Sequence, residues 1–199
     1  MWRPVYASLA EMRDWLRLHD PDDTDDDALI RLKLSAASRA VDGTCRRQFG
    51  KADTPVERSY ELRWSRSWQS YTVDIDDLMD LTDLAFTLDG VALTNADYAL
   101  RPRNAPADGR PYTYVKVSAS PAGDGVLAGL ALWGWNAPWP DEVKESTMLQ
   151  ASRLNIRRDS PYGVAGGSDS GTELRLLARL DPDIAPLVHD LVRTSWVAK

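Results

Sequence analysis

Apolar positions along this chain recur at two different periods, and the period changes twice. Leu9, Met12, Trp15 and Leu16 share one helical face. Just before them, Ser8-Leu9-Ala10-Glu11 reads as a capping box: Ser8 accepts from the Glu11 N–H and Glu11 reaches back. This predicts a short helix to about Leu18. After Pro21, Ile30, Leu34, Ala37, Val41 and Cys45 recur at spacings of three and four. That pattern predicts a second helix from about Asp25 to Gln48 with one buried stripe. Thr24 or a nearby Asp is expected to cap it, Arg46-Arg47 complement its dipole, and Gly50 serves as its C-terminal cap. Gly43 inside the helix is either a small propensity cost or a close packing point.

From Val56 the period falls to two. Tyr60, Leu62 and Trp64 alternate with Glu61 and Arg63, and Tyr71, Val73 and Ile75 alternate with Thr72 and Asp74. Asp89-Gly90 between Phe86-Thr87-Leu88 and Val91-Ala92-Leu93 is a hairpin signal. Strands are also expected at Tyr98–Leu100, Tyr112–Val117 and Val126–Trp133, with a polar Pro/Gly-rich loop over Arg101–Arg110.

Pro138 and Pro140 return the chain to helix. Val143, Thr147, Gln150, Ala151 and Leu154 share a face, and Arg153, Arg157 and Arg158 crowd the helix end. The stretch Gly163-Val164-Ala165-Gly166-Gly167-Ser168-Asp169-Ser170-Gly171 has tether composition. Two further helical segments follow, Glu173–Leu180 and one from Asp181-Pro182 to about Trp196. The expected class is α+β: a small α-helical bundle with an inserted, mainly antiparallel β-rich unit and a C-terminal helical arm on a Gly-rich tether. One composite domain divides into the helix pair 1–55, the β-rich insertion 56–135, and the segment 136–199 that carries the bundle helix, tether and arm.

Composition adds limits. With 43% apolar and 27% charged residues the chain can bury a core. A net charge of −6 argues against bulk attraction to nucleic acid. Cys45 alone cannot form an internal disulfide, and on the apolar face of its helix it reads as a buried thiol. Met1-Trp2-Arg3-Pro4 lacks the apolar run of a signal peptide, and no stretch is long enough to span a bilayer, so a reducing cytoplasm is expected. The acidic run Asp20–Asp27 lacks the glycine and terminal Glu of a helix–loop–helix calcium site and reads as helix capping and solvation.

Chemistry is sparse. His19 and His189 are far apart, each beside Asp, with no zinc spacing and no Gly-x-Ser-x-Gly elbow, so both read as solvated histidines. The Gly-rich stretch follows a helix and lacks the Lys of a phosphate-binding loop. Trp133, Trp135 and Trp139 lack interleaved cations and read as core or interface anchors. No catalytic residue, cofactor or metal is expected.

The helix–acidic break–helix opening that ends Asp42-Gly43-Thr44-Cys45-Arg46-Arg47-Gln48-Phe49-Gly50 resembles the head-to-tail connector (adaptor) proteins of long-tailed double-stranded DNA phages. The stretches Trp139-Pro140-Asp141-Glu142-Val143-Lys144, Arg157-Arg158-Asp159-Ser160-Pro161-Tyr162-Gly163-Val164 and Leu180-Asp181-Pro182-Asp183 are similar to versions from actinobacteriophages. The resemblance covers both helical ends, roughly half the chain. It implies a non-enzymatic virion protein at the neck, assembled in the host cytoplasm. The implied ring has about twelve copies in closed cyclic contact. The implied partners are the portal protein and a stopper or tail-completion protein, with double-stranded DNA passing through the lumen without sequence-specific binding. Portal docking would fall to the C-terminal arm, through Leu174, Arg175, Leu177, Arg179, Leu180, Leu187, Leu191, Arg193 and Trp196. The alternative is a helical regulatory adaptor that binds protein or DNA, whose basic cluster would be Arg153, Arg157 and Arg158. A further alternative is that the arm folds back on its own bundle.

Overall fold

The structure is a computed structural model that describes residues 3–159, 164–165, 174–175 and 181–194. It is an α+β protein of two compact units. One combines Met1–Arg47 with Trp139–Arg193, and the other is built from Gln48–Pro138.

The helical unit contains α1 (Leu9–Trp15), α2 (Asp27–Cys45), α3 (Asp141–Asp159) and the one-turn α4 (Ile184–Leu187). The capping box forms as expected: the Glu11 N–H donates to Ser8 Oγ at 3.2 Å, and the Ser8 N–H donates to Glu11 Oε2 at 2.8 Å. Helix α1 stops before Leu18 because Arg17 turns left-handed (φ 59°), which lets the Leu18 N–H bond back to the Arg13 carbonyl. The predicted stripe of α2 is its buried face: Ile30, Leu34, Ala37, Val41 and Cys45, with Ser38 among them. Met12 and Ala151 join Ile30, Leu34 and Ala37 in one apolar cluster. Val143, Thr147, Gln150 and Ala151 are buried on α3 as expected, and Leu154 is half-buried. Burial pushes the Cys45 thiol up to about 11, which suits an inert core residue.

Both ends of α2 differ from expectation. Neither Thr24 nor an Asp side chain caps it; the Thr24 carbonyl accepts from the Asp27 N–H, and the Asp27 carboxylate is engaged instead by Arg13 at 2.6 Å. At the other end Arg46, not Gly50, takes the left-handed position (φ 53°) and donates its N–H to Asp42. Gly43 faces open space, so it is no packing point.

The β unit has eight strands: β1 (Val56–Glu61), β2 (Arg63–Ser65), β3 (Ser70–Leu78), β4 (Asp80–Leu88), β5 (Val91–Ala92), β6 (Tyr98–Arg101), β7 (Tyr112–Val117) and β8 (Val126–Leu132). They form two four-stranded sheets, ordered β1-β8-β4-β5 and β2-β3-β7-β6, with every strand pair antiparallel. The chain changes sheet at Leu62 and again at Met79, with register shifts on either side of Met79, between Asp74 and Leu78 and between Asp80 and Ala85. The alternating positions meet in a shared core of Val73, Ile75, Leu78, Phe86, Leu88, Val115, Val117, Leu127, Ala131 and Trp133. Asp89 (φ 49°) and Gly90 (φ 82°) make the expected two-residue turn, with Leu88 opposite Val91. The Asp89 carboxylate also accepts from the N–H groups of Val126 and Gly123, chiefly the former, which holds it below the usual carboxylate range. Gly129 lies opposite Phe86, and its missing side chain is the space that the Phe86 ring fills.

The two ends of this unit are stitched together at one glycine. Gly134 (φ 124°) donates its N–H to the Asp77 carbonyl at 2.6 Å. Trp135 donates its N–H to the Gly50 carbonyl at 3.0 Å, and Ala52 to the Trp133 carbonyl at 2.9 Å. A Cβ on Gly134 would lie 1.9 Å from the Gly50 oxygen. Trp133 and Trp135 are core anchors on either side. The Trp133 indole donates to the Val56 carbonyl, and that of Trp135 donates to the buried Asp77 carboxylate while its ring packs on Phe49.

Three tests follow from this packing. Leu34→Ala should cost about 2–5 kcal/mol in chemical denaturation; a variant as stable as the parent would mean that the α2 face is assigned wrongly. Gly134→Ala should cost on the order of 3 kcal/mol, from left-handed strain and the clash with Gly50; a near-neutral result would contradict the stitch. The third concerns pH. The Lys144 ammonium 2.6 Å away, helped by the Ser8 N–H and hydroxyl, holds Glu11 down to about 2 from an ordinary 4.5. A lowered pKa means stability present above 4.5 and lost as pH falls toward about 2. Glu11→Gln should therefore lower the unfolding free energy at pH 7 modestly, by under about 1 kcal/mol for so exposed a pair. The gap should close near pH 2, and a gap that widened in acid would reverse the sign of this argument.

Candidate functional site

The C-terminal segment is held to the helical unit by identifiable contacts. Gln150 on α3 accepts the Asp181 N–H at 3.1 Å, and Arg153 reaches the Asp181 carboxylate at 3.2 Å. The Asp181 carbonyl then accepts from the Ile184 N–H to start α4. Pro186, without an N–H, sits inside this single turn, and a 3₁₀ turn over His189–Leu191 follows before Val192 becomes extended. The expected helix from Asp181 to Trp196 is thus broken into two short turns. Ile184, Val188 and Leu191 are buried, and the Arg193 N–H donates to the Cys45 carbonyl at the end of α2 at 2.8 Å.

The arm residues are distributed as follows. Leu187 and Arg193 are half-buried, and Leu191 is buried in the helical unit. Leu174 and Arg175 were expected in a helix but form the strand β10 (Leu174–Arg175), antiparallel to β9 (Val164–Ala165). An eight-residue helix, Glu173–Leu180, is below the length at which isolated helices hold, whereas the paired strands bond each other's backbone. Leu177, Arg179, Leu180 and Trp196 lie outside the described residues.

The acidic run forms an ordered loop around one cation. Arg13 donates to the carbonyls of Asp20 and Asp23 (2.7 Å for Asp23) and to the Asp27 carboxylate. Asp20 and Asp23 accept from the backbone of Asp22 and Asp25, and the carboxylates of Asp20, Asp22, Asp23 and Asp25 stand at the surface. Among the described residues no group of His, Cys, Asp and Glu could hold a metal. His19 and His189 are both exposed, and His189 meets only its neighbour Asp190, at 3.0 Å. No described helix is long and apolar enough to cross a membrane.

One surface was missed by the reading of the sequence. The β2–β3 hairpin, Arg63-Trp64-Ser65-Arg66-Ser67-Trp68, carries Trp64 at 55% and Trp68 at 39% exposure. Trp64 stands edge-on to Tyr71 at 5.0 Å, and Trp68 leans on Tyr114 at 5.3 Å. The signal was present as tryptophans alternating with arginines, but Trp64 continues the alternation of Tyr60 and Leu62 and so reads as an ordinary strand position.

No protein-family model matches this chain, and no curated protein does. Among solved structures, a chain from the neck of an empty GTA (gene transfer agent) particle, computed with C6 symmetry, shares the fold. Its TM-score is 0.58 at 17% identity, over 100% of this chain and 96% of that one.

Proposed function

We propose that this protein is a structural component of a phage or phage-like neck, a connector (adaptor) ring between portal and tail that extends the DNA channel. The observation that carries this reading is the full-length fold match to a chain of a particle neck. It joins the resemblance of both helical ends to phage connectors. Matching over the whole of both chains matters because the β unit, which the resemblance of the helical ends does not cover, is included.

In this reading about twelve copies form the ring, a closed cyclic assembly with heterologous contacts. The sixfold symmetry of the neighbour's particle accommodates twelve as two per repeat. The portal lies on one side and a stopper or tail-completion protein on the other, with DNA crossing the lumen. A net charge of −6 suits a protein that DNA passes without sticking. The role is architectural and needs no cofactor. Portal docking is assigned to the stretch around Leu174, Arg175, Leu177, Arg179 and Leu180, whose ends Asp159 and Asp181 are anchored in the helical unit. Leu187, Leu191, Arg193 and Trp196 extend that surface, with Leu191 serving chiefly as the arm's anchor.

Removal of the gene from a particle-producing strain should leave DNA-filled heads without tails, and purified protein should restore joining in an extract. Tailed particles formed without the protein would overturn the reading. For the docking stretch, Arg175→Glu with Arg179→Glu should leave the thermal midpoint unchanged yet abolish co-sedimentation with portal-bearing heads. Undiminished co-sedimentation would remove the docking assignment.

A further inference from the structure

The exposed tryptophan hairpin is not used by anything derived above. The strand register puts Arg63 opposite Thr72 and Thr72 opposite Lys116, so both cations lie on one face of the β2-β3-β7-β6 sheet. Arg101 faces Tyr114 on the same side. The turn after β2 folds Trp68 onto this face, where Lys116 donates to the Trp68 carbonyl at 3.4 Å and Tyr114 supports the indole. Arg66 is exposed at the tip. Trp, Tyr and Arg are the residue types that carry most of the binding energy at protein interfaces, and rigidly supported rings lose little entropy on docking. Trp68 resting on Tyr114 and rimmed by Arg63, Arg66 and Lys116 is such a surface, and the exposed Trp64, packed on Tyr71, stands on the opposite face of the same hairpin.

Charge narrows the occupant. Arg63, Lys116 and Arg101 outnumber the one carboxylate that the register puts on this face, Asp74 opposite Tyr114, so on a chain whose net charge is −6 the complement is an acidic protein surface, and the chain carries one itself. The Asp20–Asp25 loop offers four surface carboxylates, and the Arg13 guanidinium fixes their backbone in advance. A basic face and an acidic loop on the same chain are the two unlike halves that a head-to-tail contact between identical copies requires. We propose that the Arg63–Trp68 hairpin of one copy docks on the Asp20–Asp25 loop of a second copy. This rests on the ring reading given above and names one of its interfaces.

The test is a charge exchange followed by sedimentation of the full chain at low ionic strength and high concentration. Wild-type protein should self-associate, and added salt should weaken the association steeply. Arg63→Glu/Arg66→Glu should weaken it about tenfold or more, and so should Asp22→Arg/Asp23→Arg, each with an unchanged thermal midpoint. A one-to-one mixture of the two variants should recover association, because the reversed hairpin of one meets the reversed loop of the other. Trp68→Ala, checked in the same way for folding, should also lose association and should not be rescued by mixing. Wild-type protein that stays monomeric, variants that associate like the parent, or a mixture that fails to recover would each overturn the interface. So would tight binding of a single-stranded oligonucleotide to the hairpin without self-association, since cations beside exposed indoles also suit stacked bases. The ring reading fails separately: a neck in which this chain is present but its hairpins and loops are apart removes the interface alone, whereas a neck without this chain removes the ring.

Discussion

An eighty-residue-scale β insertion can interrupt a helical bundle only if its two ends come back together, and here that closure depends on backbone meeting backbone at Gly50 and Gly134. With a Cβ only 1.9 Å from the Gly50 oxygen, no other residue type fits at Gly134, and its φ of 124° is a conformation that side chains rarely adopt. Around that contact the Asp77, Gly50 and Trp133 carbonyls are satisfied, and the Trp133 and Trp135 indoles close over it with their own hydrogen bonds. Within the helical unit, α2 and α3, which flank the insertion in sequence, share a core of Ile30, Leu34, Ala37 and Ala151.

The elements with strong local physics were legible in the sequence. The Ser8/Glu11 capping box, the α2 stripe, the Asp89-Gly90 turn and the buried Cys45 each depend on neighbours within a few residues or on a simple period. What escaped was decided at longer range. The sheet change at Leu62 leaves no local mark, because the alternation of Tyr60, Leu62 and Trp64 continues through it, and the one at Met79 shows only as a change of phase from Val73 and Ile75 to Leu78 and Phe86. Gly50 looked like a helix cap, and Arg46 took that position because Gly50 was needed against Gly134. The last helix was overextended although Pro186 was in view, and Leu174 and Arg175 exchanged helical propensity for pairing with Val164 and Ala165. Trp64 was read as an ordinary strand position because period alone cannot separate a buried aromatic from an exposed one.

Function was legible only as an order of elements. Two histidines far apart in the sequence and one lone thiol give no spacing that marks a reaction centre. The described residues bring together cross-links and surfaces instead: Lys144 with Glu11, Arg153 with Asp181, an acidic loop wound on Arg13, and a basic aromatic hairpin. The fold itself is shared with a chain from a particle neck.

The most direct measurement is a cryo-EM reconstruction of the neck of the particle that carries this protein. The account predicts a ring of density immediately below the portal into which each of the two units fits, with repeated copies around the DNA channel. A neck resolved to side-chain detail whose rings are all made by other chains would contradict it.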